Sequence, residues 1–214
     1  MLVPVVSIFE DEINQIRRVF AREETPGSVN CPVMRYSPLD DGCLVSAWDA
    51  WNRFLRRLYL TCASNVVTSV SGARYVPAVF LPEEEALTIL RSAAVRGSGI
   101  VIVVREPKWF LARSVEPISN CLGLVNGGQI RDAITQNTVR LGEGFTMPNP
   151  LYEIQRTRNY VAHKSESEGL SLLSVASPQT LDLSMHMRER TRGGSVRFDD
   201  WLDGLIGLAW DAAV

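Results

Sequence analysis

Histidine is scarce in this chain: its 214 residues hold two, His163 and His186. Any imidazole proton transfer near neutral pH must therefore use one of them. Cysteine is sparse too. Cys31, Cys43, Cys62 and Cys121 form no CxxC pair, whereas zinc needs ligands at closer spacing, so they read as reduced core or surface thiols in a cytoplasmic protein. No metal and no cofactor are expected. No run of about 18 apolar residues is present to span a membrane, and Met1-Leu2-Val3-Pro4 lacks the basic start and apolar core of a signal peptide. There is no Gly-x-Ser-x-Gly elbow for a serine hydrolase. Arg96-Gly97-Ser98-Gly99 is followed by no Walker lysine, which argues against a phosphate-cradling loop. A glycosidase pair is not excluded by the number of acidic residues, but nothing marks one. The chain has no internal repeat and no low-complexity tract.

Positive charge is also in short supply. The net charge is −2 and the isoelectric point about 5.8, whereas a nonspecific nucleic-acid binder is usually basic. Any RNA site must be a local patch. Candidates are Arg156, Arg158 and Lys164, and further on Arg188, Arg190, Arg192 and Arg197, which read first as a solvated hairpin. With 46% hydrophobic residues the chain can bury a real core in one domain. Residues 1–45 read as an N-terminal helix and irregular linker, and residues 46–214 as the main helical domain.

Against these absences stands Arg158-Asn159-Tyr160-Val161-Ala162-His163. Asn149 suits an N-cap, Pro150 the first helical position and Glu153 the first turn, so one helix is expected to run through about Ser165. Gln155, Asn159 and His163, spaced i, i+4, i+8, make a polar stripe on it, with Ile154 and Val161 facing the core. Arg158 sits about 140° round the helix from His163. Its long side chain could reach a shared pocket, or serve one completed by another chain. A neutral imidazole can take the proton of a ribose 2′-hydroxyl, and a charged one can protonate the leaving 5′-oxygen. A guanidinium can hold the phosphate with two hydrogen bonds and stabilise developing charge. Asn159 could orient the imidazole or contact the phosphate. This route needs no metal.

The six residues resemble the Arg-Asn-x-x-x-His signature of the HEPN superfamily. Ala47-Trp48-Asp49-Ala50-Trp51-Asn52-Arg53-Phe54-Leu55 and Glu106-Pro107-Lys108-Trp109-Phe110 look similar to its RiboL-PSP-HEPN-like branch. The resemblance covers Ser46 to the C-terminus, although only the six-residue motif is specific. It implies a helical bundle, pairing into a homodimer with two facing motifs, and metal-independent endoribonuclease activity leaving 2′,3′-cyclic phosphate ends. Arg158, Asn159 and His163 would be catalytic, and Gln155, Arg156 and Lys164 would contact RNA. Toxin or antiphage-defence roles, with an antitoxin or other regulatory protein as partner, fit the same resemblance. The alternative is a noncatalytic RNA-binding or protein-interaction module on the same fold.

The rest of the pattern predicts a mainly α protein with a small β-hairpin before the last helix. A first helix is expected over 8–22 with Ile8, Phe9, Ile13, Ile16, Val19 and Phe20 on one side, then a linker over 25–42. Residues 47–64 carry the apolar stripe Trp48, Trp51, Phe54, Leu55, Leu58 and Tyr59. Pro82 opens a helix to about Val95. The segment 99–105 reads as a strand by propensity, with a helix left open. Short helices follow over 115–124 and 129–136, separated by Asn126-Gly127-Gly128. Leu181, Leu183, Met185 and Met187 alternate with polar residues as in a half-buried strand, with Val196-Arg197-Phe198 returning and His186 facing out. Asp199-Asp200 then caps a final helix packed by Trp201, Leu202, Leu205, Leu208 and Ala209.

Overall fold

The computed structural model describes residues 1–22, 38–92, 112–141, 145–163, 183–191 and 194–214. Among these the chain is mainly helical, with two small antiparallel strand pairs. Helix α1 (Val3–Ala21) begins earlier than its apolar pattern suggests, because Pro4 occupies its first turn, where no backbone N–H is needed. The Leu2 N–H donates to Thr68 O at 2.9 Å and ties that end to strand β1 (Val67–Thr68), which pairs with β2 (Arg74–Tyr75). Phe9, Ile13 and Phe20 are buried, but Ile8 and Val19 face solvent, so the inward stripe is narrower than expected.

Helix α2 (Pro38–Ser64) starts inside the expected linker: Pro38 to Gly42 form its first turns, and residue 46 falls within it. It is the axis of the core. Trp51, Phe54, Leu55, Leu58 and Tyr59 are fully buried, and Phe9 of α1 meets Trp51 edge-on at a centroid distance of 5.8 Å. Helices α3 (Glu83–Ser92), α4 (Ala112–Leu122) and α5 (Gly127–Thr135) match three expected helices closely. Gly127 opens α5 rather than separating it from α4. The β-branched segment 99–105 lies outside the described residues.

Strands β3 (Thr138–Leu141) and β4 (Phe145–Pro148) form a hairpin that the sequence pattern does not announce. It feeds directly into α6 (Leu151–His163), the motif helix. Beyond it, Leu183–Arg188 is a short helix, α7, and not a strand. Its alternation is overridden by packing, since His186 and Met187, adjacent in sequence, are both buried. Of the expected final hairpin, a bridge between Arg190 and Val196 is described, closed by a turn with Gly194 at positive φ. The last helix, α8, spans Arg197–Ala212. Val196 is its N-cap with no side-chain bond, so Asp199 and Asp200 serve as first-turn acids rather than caps. Trp201, Leu202, Leu205, Leu208 and Ala209 pack inward as expected. Glycine lets the hairpin close on α8: a Cβ at Gly207 would meet Val139 Cγ1 at 2.7 Å, and one at Gly204 would meet Met147 and Pro150, each at 2.8 Å.

Two ion-pair groups lock helices to one another. Glu12 of α1 accepts from Arg53 and Arg57 of α2, at 3.0 and 2.8 Å. Asp40, fully buried in the first turn of α2, accepts two bonds from Arg188 of α7, at 2.8 Å from Nε and 2.6 Å from Nη2. The same guanidinium lies 4.3 Å over the Phe20 ring. Arg188 is thus a structural residue and not part of a solvated basic hairpin. Removing one partner of such a pair costs far more than the pair contributes. Asp40→Ala is therefore expected to lower the unfolding free energy by about 3–5 kcal/mol in urea denaturation. Adding Arg188→Met should recover most of that loss, and no recovery would assign the effect to something other than the ion pair.

Candidate functional site

The motif helix is fixed at its start by one side chain. Asn149 Oδ1 accepts from the Leu151 N–H at 3.0 Å, the expected N-cap, while its Nδ2 donates to Ile134 O and Gln136 O at 2.8 and 2.9 Å. The cap therefore also anchors α6 to the end of α5. Ile154 is fully buried and Val161 is packed against the core, as their positions seven apart require. Thr157, also buried, returns its hydroxyl to Glu153 O at 2.7 Å.

Arg158, Asn159, Gln155 and Arg156 are half-buried along this helix, and His163 is its last residue. Arg158 Nε is enclosed and has no hydrogen-bond partner among the described residues. Lys164 and Arg192 lie outside the described residues. The helix thus holds the arginine, the amide and the histidine in the expected register, with Arg158 and His163 still about 140° apart in one chain.

Another polar cluster was not anticipated. His186 is buried rather than facing out, 1% exposed, with its ring 5.7 Å from that of Trp201. Its Nε2 lies 3.2 Å from Glu153 Oε1 without hydrogen-bond alignment, and its Nδ1 has no partner among the described residues. Trp201 Nε1 donates to Glu153 Oε2 at 3.1 Å, and Arg197 Nη1 donates to Oε1 at 3.2 Å. Arg197 Nη2 donates to Glu189 Oε2 at 2.7 Å. Arg197 is thereby neutralised by carboxylates and is not a free RNA contact. Arg190, which is exposed, donates to Gly194 O at 2.9 Å. The signal for this cluster was present as Glu153 in the first turn, but periodicity alone could not name its partners 33 to 48 positions later.

Beside Glu153 opens a cavity of about 760 Å³ between the β3–β4 hairpin and the start of α8. Leu141, Met147 and Pro148 form apolar walls, and Thr191, Ser195, Arg197 and Asp200 a polar one. Among the described residues no group of three or more His, Cys, Asp or Glu is placed to hold a metal ion, and no helix is long and apolar enough to cross a membrane. Cys43 and Cys62 are buried and Cys121 is exposed. Burial pushes the Cys62 thiol up to about 11 despite the Asn126 amide donating to it, so it is no nucleophile. No protein-family model, curated protein or solved structure matches the chain.

Burial alone would raise the Glu153 carboxyl, but the His186 imidazole, the Arg197 charge and the Trp201 N–H outweigh it and hold it below the ordinary 4.5. A carboxylate with a depressed folded-state pKa contributes stability that is complete above its unfolded value and lost as pH falls through the folded one. Glu153→Gln should cost about 1–3 kcal/mol at pH 7, as for a hydrogen-bonded charge. The wild-type and variant stabilities should converge below pH 4.5. Urea unfolding at pH 7 and pH 3 checks this, and a difference that persists undiminished at pH 3 would show that the cost is steric.

Proposed function

We propose that this protein is a metal-independent endoribonuclease of the HEPN kind, acting as a homodimer on RNA. The observation that carries the reading is an arginine whose enclosed Nε has no partner among the described residues, on the same helix as a terminal histidine about 1.4 turns away. A buried guanidinium nitrogen without an acceptor is costly to leave so, and a phosphate oxygen is the acceptor its planar fork suits best. His163 then takes the 2′-hydroxyl proton or protonates the leaving 5′-oxygen. The 2′-oxygen attacks phosphorus, the bond to the 5′-oxygen breaks, and a 2′,3′-cyclic phosphate remains. Asn159, beside Arg158, orients the imidazole or the phosphate.

The 140° separation is answered by a second copy, which sets Arg158 of one chain near His163 of the other. In such a paired site the two copies of His163 divide the acid and base roles. Gln155, Arg156 and Lys164 are assigned to flanking RNA contacts. The compartment that suits reduced thiols is the cytoplasm. A toxin or defence role, with a protein regulator, follows from the same resemblance.

His163→Ala and Arg158→Ala should each abolish cleavage of total cellular RNA while leaving the far-UV circular dichroism spectrum and Tm nearly unchanged. Wild-type cutting by either variant would remove the assignment, and a folded, dimeric wild type that binds RNA without cutting it would establish the noncatalytic module instead. Cleavage should also survive EDTA. Activity lost to chelation and restored by magnesium or manganese would point to a carboxylate site elsewhere.

A further inference from the structure

The cavity beside Glu153 is not used by the cleavage chemistry, yet its walls are specific. At its rim the Phe145 ring is 71% exposed, an uncommon position for an aromatic side chain with apolar Leu141, Met147 and Pro148 close by. On the opposite side Asp200 lies half-buried. Ser195 Oγ donates to Asp200 Oδ1, and no cation pairs with this carboxylate among the described residues, whereas neighbouring Glu153 is satisfied by Trp201 and Arg197. One ring to stack on, one carboxylate with free lone pairs and the hydroxyls of Thr191 and Ser195 make a site for a flat group that donates hydrogen bonds.

The wall charges are Glu153, Asp200 and Arg197, a net of −1, so a phosphate is disfavoured inside the cavity and an uncharged donor-rich ring is favoured. A nucleobase has that shape. Guanine alone among the four carries adjacent ring and amino N–H donors that match both oxygens of one carboxylate.

The placement on the motif helix supports the same occupant. Arg158 and His163 follow Glu153 by five and ten residues, about 8 and 15 Å along the helix axis. Arg156, Asn159, Tyr160 and His163 all fall within an arc of about 120° from Glu153 on the helix surface. A short extended strand can thus run from the cavity along one face of α6 to the motif.

We propose that this cavity is a guanine-binding subsite that selects the RNA cut at His163, with Phe145 stacking on the base and Asp200 reading its donor edge. The proposal rests on the endoribonuclease reading, and two readouts separate their failures. In the first, the full-length protein is titrated with the four uncharged nucleosides by calorimetry. Guanosine should bind about tenfold more tightly than the others, as one bidentate pair provides. Asp200→Asn, which swaps an acceptor for a donor, should erase that preference, and Phe145→Ala should weaken all binding. In the second, cut sites in total RNA are mapped, and they should lie at a fixed offset from guanosine in the wild type but not in Asp200→Asn.

Cleavage with no base preference, and no guanosine binding, overturns the subsite and leaves the nuclease. Guanosine binding that depends on Asp200, with no cleavage of any RNA, upholds the subsite as a binding pocket and overturns the nuclease. Arginine amide binding more tightly than guanosine, again through Asp200, overturns the base assignment and makes the cavity a docking point for a protein side chain.

Discussion

The carboxylate of Glu153 is where the motif helix meets the rest of the fold. Helix α6 packs against α2, and its Glu153 carboxylate links it to His186 of α7 and to Arg197 and Trp201 of α8. Two N–H donors and an imidazole converge on it. A helix packed by an apolar stripe alone can roll several degrees about its axis, because dispersion contacts are non-directional. Hydrogen bonds from fixed directions forbid that roll. Asn149 removes the remaining freedom at the helix start by bonding back to α5 while capping α6. The orientation of Arg158 and Asn159 is therefore set from the N-terminal end of the helix.

That arrangement explains how much of the fold was legible beforehand. Helices α3 and α6 follow from local rules: a proline and acidic residues open each, apolar residues recur at helical spacing, and Asn149 is a local cap, whereas the start of α2 at Pro38 lay in the expected linker. The core stripe of α2, from Trp48 to Tyr59, needed no tertiary knowledge because an aromatic-rich face of that width has nowhere else to go. What was not legible depends on distant partners. Leu183 to Arg188 alternates like a strand, but a buried acid at Asp40 draws Arg188 inward while Glu153 and Trp201 enclose His186, and a short helix satisfies both. The strands β3 and β4 carry no strong strand signal. Val139 is fully buried in them, and α8 makes room at Gly204 and Gly207.

The same distinction applies to the candidate site. Arg158, Asn159 and His163 were found because they lie within six residues of one another on one helix. The arginines beyond the motif were misread for the opposite reason. Arg188 and Arg197 resemble a basic patch in sequence, yet each is matched by acids supplied from other elements. Counting cations in a segment says little about potential when their counter-charges arrive from other elements of the fold.

A focused site of this kind has a consequence for how RNA would be held. Long-range attraction by a basic surface is weak here, since the net charge is −2. On the proposed reading, affinity would come from short-range contacts: a guanidinium on one phosphate, stacking on an exposed ring and a carboxylate on a base edge. Such contacts are directional, so they bind a displaced loop or single strand better than a stacked duplex, whose base edges and faces are already engaged. They also depend less on salt than phosphate contacts do. A nuclease built on that plan would gain selectivity from the same feature that denies it general affinity for RNA.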